Sequence, residues 1–330
     1  MENRSLRLAV VGCGAIFEKN HLSAVTGISD WEISFLVDND IQLLQKYAGQ
    51  LNCKYSNSIK DIPADIDVCL VATPNFLHAE QSIFLLEKGH HVVCEKPVTI
   101  SLNDAERVRD AVIKTSKHFF IVHPRRFQKN LDFFKTSYLP NIHIKNIDVA
   151  LGYKFNWQSK TNFYDFPEKA GGGVFLDLGV HVLDALLSLW NGPIEINNII
   201  FGAAVQTNPV IDSVSTCFGS IANIPFTIKT SRHAVLQNSM KIVTDESEIL
   251  LSLSGSNEIS IKSHIANTSK KIDLQIDKAE DTFVTFWHNL ACFFNGKEFN
   301  RNVKLATIED GITVMECIEK ARKIGQFIKI

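Results

Sequence analysis

A chain of 330 residues, 45% apolar and 21% charged, is long enough for two domains and has the composition of a folded globular protein, not a disordered one. Its formal net charge of −2, with no basic run or arginine-rich arm, sets nucleic acid and anionic membrane aside as main partners. No uninterrupted apolar stretch is long enough to span a bilayer.

The opening MENRSLRLAVVG leads straight into an apolar run, without the long apolar region and small-residue cleavage site of a signal peptide. Seven cysteines include no Cys-x-x-Cys pair, so reduced, buried thiols in a cytoplasmic protein are expected. Up to about His123, the runs LRLAVV, EISFLVD, IDVCLVAT, HHVVCEK and HFFIVH alternate with helical stretches such as FLHAEQSIFLLEKG and SLNDAERVRDAVIKTS. That rhythm predicts a parallel sheet covered on both faces, a doubly wound dinucleotide-binding (Rossmann) domain over residues 1–124.

The first run ends in VVGCGAIFEKNH, where Gly12 and Gly14 allow the tight turn and the close backbone approach that a pyrophosphate needs. Ala15 and Ile16 then open a helix whose N-terminal N–H groups face the phosphates. The third small residue of the pattern is replaced by Phe17, whose ring is expected to point aside, toward the cleft. The second run ends at Asp38, placed to accept hydrogen bonds from the adenosine ribose and to repel a 2′-phosphate. No arginine follows it, which favours NAD over NADP. Alternatively Asp38 caps the next helix, a role Asn39 or Asp40 could equally fill.

From 125 to 330 the rhythm changes. A helical stretch near 174–190 is followed by the alternating runs VSTCFGSI, PFTIKTSRHAV, MKIVTD, EILLSLS, NEISIKSHI and KKIDLQI. They predict an α+β domain for substrate binding and oligomerisation, built on a large, mainly antiparallel open sheet of about six or more strands. Helices around FVTFWHNLACFF and TIEDGITVMECIEKARKIG close the chain, and the fold class is α/β. Helices on one face of the second sheet would leave the other for self-association, or for solvent.

Chemistry singles out further residues. Oxidising a secondary alcohol sends a proton to a base, for which histidine has a suitable pKa. His181 follows Asp177 by four residues at a helix start, so both project from one face. Lys96 ends the fifth strand at the sheet's carboxyl edge and can stabilise charge on a reacting oxygen. The segment 153–173 is dense in Lys154, Asn156, Trp157, Asn162 and Tyr164, which suits carbohydrate, or equally an exposed or dimer-contact loop. Apart from His90-His91, the histidines outside this set show no paired metal-ligand spacing, and no metal is expected.

The ATPN-x-x-H-x-E element from Ala72 to Glu80, the Glu95-Lys96-Pro97 triplet and the Asp177-x-Gly-x-His181 element occur in one order and spacing. In this the chain resembles, over nearly its whole length, the glucose–fructose oxidoreductase, inositol dehydrogenase and rhizopine catabolism (Gfo/Idh/MocA) family of NAD(P)-dependent oxidoreductases. The resemblance implies hydride transfer between nicotinamide and a secondary hydroxyl or ketone of a sugar, nucleotide-sugar or cyclitol. It implies that Lys96 orients the hydroxyl, Asp177 binds substrate and His181 is the acid–base. Thr73, Pro74 and Asn75 would pass beside the cofactor, Glu95 would contact the nicotinamide ribose or amide, and Arg125 would face both ligands while Arg126 turns to structural ion pairs. Family members commonly form homodimers or homotetramers. Two other readings stay open: an NAD-retaining glycosidase or epimerase, and a catalytically silent NAD-sensing regulator.

Overall fold

The computed structural model describes residues 5–154, 163, 166–190, 192–203, 211–255, 257–274, 282–298 and 303–330. Trp157 and Asn162, expected at the substrate, lie outside them, as do Asn156 and Tyr164.

Strands β1 (Leu6–Val11), β2 (Trp31–Val37), β3 (Lys54–Ser56), β4 (Val68–Val71), β5 (His91–Glu95) and β6 (Phe119–Val122) form a parallel sheet in the order β6-β5-β4-β1-β2-β3. Helices α1 (Leu22–Thr26), α2 (Ile41–Leu51), α3 (His78–Glu87) and α4 (Leu102–Thr115) run between the strands. β4 and β6 are buried at every position, as unbroken apolar runs require when helices cover both faces. The order reverses between β1 and β4, which opens a crevice at their carboxyl ends.

Phe17 departs from expectation. Its ring is fully buried, edge-on to Tyr47 of α2 at 5.5 Å, and does not point into the cleft. The helix after the glycine turn starts with α-geometry at Ala15 and Ile16, widens into a π-turn over Phe17–His21 and returns to α-geometry at Leu22. The wider turn and the neighbouring α2 give the ring an apolar slot where a small residue would otherwise let helix and strand touch.

The second half comprises α5 (Lys129–Phe133), β7 (Ile144–Gly152), α6 (Pro167–Ala170), α7 (Val180–Leu189), β8 (Ile194–Ala203), β9 (Val214–Ile221), β10 (Ile224–Ser231), β11 (Ser239–Thr244), β12 (Ser247–Ser252), β13 (Glu258–Ser263) and β14 (Ser269–Asp273). It ends with α8 (Thr282–Phe294), β15 (Ala306–Thr307), α9 (Ile308–Ile324) and β16 (Gln326–Lys329). The second sheet runs β14-β13-β12-β11-β7-β10-β9-β8-β16, and only the β7–β10 and β8–β16 pairs are parallel. Its inner face carries Ile147, Val149, Phe226, Ile228 and Ile242, in one apolar core with Leu183 and Leu186 of α7 and Met315 of α9.

The tail crosses back to the first sheet. β15 pairs antiparallel with β6. Trp287 of α8 accepts a hydrogen bond from Trp31 Nε1 on its carbonyl at 3.0 Å, and its own Nε1 donates to His21 Nδ1 at 3.1 Å. α9 touches α4 on one side and β8 on the other, so it is the wedge between the sheets. One stretch, Glu168–Leu189, is long and apolar enough to cross a membrane by length and composition alone; 67% of its most apolar window is buried inside this fold. A helix apolar on nearly all sides is what a core position demands.

Candidate active site

The crevice widens into a cleft of about 1480 Å³ between the two sheets. Single-ligand pockets are usually about 300–1,000 Å³, so there is room for a dinucleotide and a second molecule. Gly12, Gly14, Ala15, Ile16 and Asp38 line one arm, with Thr73, Pro74 and Asn75 alongside. Glu95, Lys96, Arg125, Asp177 and His181 line the rest, so the described residues expected at the site share one space.

The cradle fits a dinucleotide. Gly12 sits at φ +97°, and a Cβ there would stand 2.7 Å from Ala72 C, so the bend needs glycine. At Gly14 an added Cβ would meet nothing within 4 Å, which leaves its backbone open to the cleft. Asp38 is held in place: Oδ2 accepts from Cys13 N at 2.7 Å and Oδ1 from Asp40 N at 2.9 Å. The cap of α2 is Asp40, whose side chain accepts from Gln42 N and Leu43 N. Asp38 is therefore spared for a ligand.

Glu95 ends β5, buried, with Oε1 accepting from His21 Nε2 at 2.8 Å and Oε2 from Lys96 N at 3.0 Å. Because Trp287 Nε1 donates to His21 Nδ1, the proton on the imidazole stands at Nε2. Burial would raise the Glu95 pKa, but the hydrogen bond from His21, with the charge and backbone N–H of Lys96, brings it below the ordinary carboxylate value. His78 braces the two loops beside the cleft, its ring nitrogens 2.8 Å from Thr73 O and Pro97 O.

Lys96 and the helix carrying Asp177 and His181 meet at the floor. Lys96 Nζ donates to Asp177 Oδ1 at 2.8 Å and to Asp177 O at 3.2 Å. Arg232, just beyond β10, donates to Asp177 Oδ2 at 3.1 Å. Burial pushes the Asp177 carboxyl up, but these two cations overcome it and hold its pKa down at about 2. Asp177 lies in the π-turn Phe175–Gly179 and His181 in the first turn of α7. This turn is anchored from its start: Phe175 N donates to Asp212 Oδ2 and Val174 N to Asp212 O, with Gly173 pressed so close that a Cβ would fall 2.0 Å from Asp212 O.

Burial, then the charges of Lys96, Arg125 and His123, push the His181 imidazole well below the usual histidine pKa. It is a neutral proton acceptor at neutral pH. Buried side-chain atoms without a hydrogen-bond partner include three from residues that line the cleft, His181 Nδ1, Arg125 Nε and Asn75 Oδ1. A buried polar atom left unpaired costs stability, and in the cleft a bound ligand would supply the missing partners. Arg126 does turn away, pairing with Asp184 at 2.6 Å and Asp310 at 3.3 Å.

Arg232 was not foreseen. Its signal was present, since Ser231, Arg232 and His233 break the alternation at the end of β10 and put a cation where the apolar run stops.

These features define a two-domain oxidoreductase built on a dinucleotide-binding sheet. Residues 6–123 match the GFO/IDH/MocA oxidoreductase family model with its NAD-binding Rossmann fold, and residues 143–250 match the GFO/IDH/MocA C-terminal domain. The chain belongs to this family. It is 24% identical over 263 residues to glucose-6-phosphate 3-dehydrogenase of Bacillus subtilis (strain 168), covering 73% of each chain. It is 29% identical over 206 residues to D-glucoside 3-dehydrogenase of Escherichia coli (strain K12), covering 58% of this chain and 56% of that protein. A 3-ketoreductase from Actinomadura kijaniata, solved with NADP and TDP-benzene, superposes with a TM-score of 0.84 at 15% identity, over 99% of this chain and 100% of that one. At that identity the superposition speaks for the fold alone.

Proposed function

We propose that the protein is an NAD-dependent dehydrogenase or ketoreductase of sugars or cyclitols, with His181 as acid–base, Lys96 polarising the reacting oxygen and Asp177 fixing the substrate. The observation that carries this reading is the meeting of Lys96, from the rim of the first sheet, with Asp177 and His181 of the second domain in the cleft that holds the glycine turn.

When bound, NAD supplies the hydride acceptor or donor. Gly12, Gly14, Ala15 and Ile16 would hold its pyrophosphate, Asp38 its adenosine ribose, and Glu95 its nicotinamide end. An ammonium has three N–H donors, and Lys96 commits two to Asp177, which leaves one for a substrate oxygen. Each Asp177 oxygen takes one donor from protein and keeps a lone pair for a sugar hydroxyl. In oxidation, the neutral His181 takes the hydroxyl proton as the hydride leaves carbon; in reduction, it returns it.

The depressed His181 pKa sets the pH dependence. In the oxidative direction kcat/KM should hold its plateau below pH 6.5 and fall only at lower pH, where His181 becomes protonated and loses its role as base. A pH–rate profile with its acid limb centred at or above 6.5 would contradict the assignment.

Asp38→Ala should raise KM for NAD by about 10- to 100-fold, the worth of a charged hydrogen-bond acceptor, and should narrow the preference for NAD over NADP. Steady-state KM values for the two cofactors check this; an unchanged ratio would remove Asp38 from the ribose site.

We place the protein in the cytoplasm as a homodimer or homotetramer joined through the outer face of the second sheet. Among the described residues all seven cysteines are unpaired, which fits a reducing compartment. Phe218 of β9 is 38% exposed on that outer face. A solution mass equal to the single 37.0 kDa chain would refute the assembly.

A further inference from the structure

The substrate arm of the cleft carries more positive charge than a neutral sugar requires. Asp177 is already matched by Lys96 and Arg232. Arg125, Lys154 and Lys169 line the same space, and among the described residues none of the three has a carboxylate partner. Arg125 donates to Leu253 O, and its buried Nε has no acceptor. Lys169 lies over the rings of Phe76 and Phe166, at 5.9 Å and 4.8 Å, and Lys154 is exposed. Asp38 and Asp40 line the cleft beside the glycine turn.

The cofactor's pyrophosphate does not account for these cations. The glycine turn follows β1, whereas Arg125 follows β6, three strands away in the sheet, or about 14 Å at ordinary strand spacing. Lys154 follows β7 and Lys169 lies in α6, both outside the first sheet. An arginine with a vacant buried N–H and a lysine-bearing mouth suit phosphate: the guanidinium offers directed donors, and the ammonium groups act as point charges that draw an anion in.

We propose that the substrate is a phosphorylated sugar, its reacting hydroxyl between Lys96 and His181 and its phosphate met by Arg125, Lys154 and Lys169. This inference rests on the hydride-transfer reading of the same site. The phosphate could belong to a sugar monophosphate or to the diphosphate of a nucleotide-linked sugar; the chemistry recognised is the same.

Quenching of nicotinamide fluorescence in the complex of the full chain with NADH tests this with glucose 6-phosphate, UDP-glucose and glucose. At least one phosphorylated probe should bind roughly tenfold or more tightly than glucose, and the better of the two identifies the phosphate's source. The double variant Lys154→Gln/Lys169→Gln, at exposed positions that the fold does not need, should shrink that preference about tenfold. Added salt should shrink it in the native chain. Glucose binding as tightly as both phosphorylated probes, or a preference indifferent to both salt and the double variant, would overturn the proposal. Hydride transfer is read separately from nicotinamide absorbance. Charge-dependent binding of sugar phosphates and nucleotide sugars with no absorbance change on any of them would sink the dehydrogenase reading and leave the phosphate site standing.

Discussion

His181→Asn is expected to cut turnover by about 10²- to 10⁴-fold, the usual worth of a positioned acid–base group, while NADH binding stays close to that of the native chain. The asparagine retains polarity and approximate size but cannot take the hydroxyl proton. His181 lines the cleft and its Nδ1 has no partner among the described residues, so the substitution breaks no mapped hydrogen bond. The contrast between lost turnover and kept cofactor affinity separates a chemical role from a structural one. Near-normal turnover on an identified substrate would remove His181 from the mechanism.

Arg126→Gln should destabilise the fold by about 3–5 kcal/mol, because it strands Asp184, only 1% exposed, as a buried charge. Arg126 donates to Asp184 from Nε at 3.0 Å and from Nη2 at 2.6 Å, and it also reaches Lys304 O and Asp310. One guanidinium therefore joins the chain just after β6, helix α7, which carries His181, and the tail at α9. Asp184 is three residues beyond His181, so the loss would also loosen the floor of the cleft. The double variant Arg126→Met/Asp184→Leu should recover much of the loss, since removing both charges removes the unpaired one. Urea midpoints for the two variants check this. An unshifted midpoint for Arg126→Gln would show that the pair does not support the fold.

Much of the architecture was legible because strands buried on both faces read as unbroken apolar runs, and β9–β12 alternate between buried and less buried positions over most of their length. Four strands left no clear signal in the sequence, for two physical reasons. β7 has apolar residues at Ile144, then Ile147 and Val149, and its register slips opposite Val243 and Thr244. β8 changes phase in the same way between Ile196 and Ile199, where its pairing with β9 shifts. A bulge adds one residue and breaks a period of two, so the pattern is lost where the sheet bends. β3 is three residues with none fully buried, and β15 is two residues long. Neither length nor hydrophobicity announces them.

The site was legible where local spacing encodes it and illegible where the fold assembles it. Gly12, Gly14 and Asp38 belong to one strand–turn–helix–strand unit, and Lys96, Asp177 and His181 lie in short motifs. The hydrogen bond from Arg232 to Asp177 spans 55 residues, and that from Trp287 to His21 spans 266; neither partner names the other in the sequence. The burial of Phe17 likewise required Tyr47, from the next helix, to be in place.

A crystal structure of the chain with NADH and a bound sugar tests the central claim most directly. The account predicts that the nicotinamide ring lies over the floor made by Lys96, Asp177 and His181, with the reacting carbon about 3–3.5 Å from the ring and its oxygen within hydrogen-bond reach of both Lys96 and His181. A nicotinamide ring seated elsewhere in the cleft, or a sugar oxygen touching neither side chain, would contradict it.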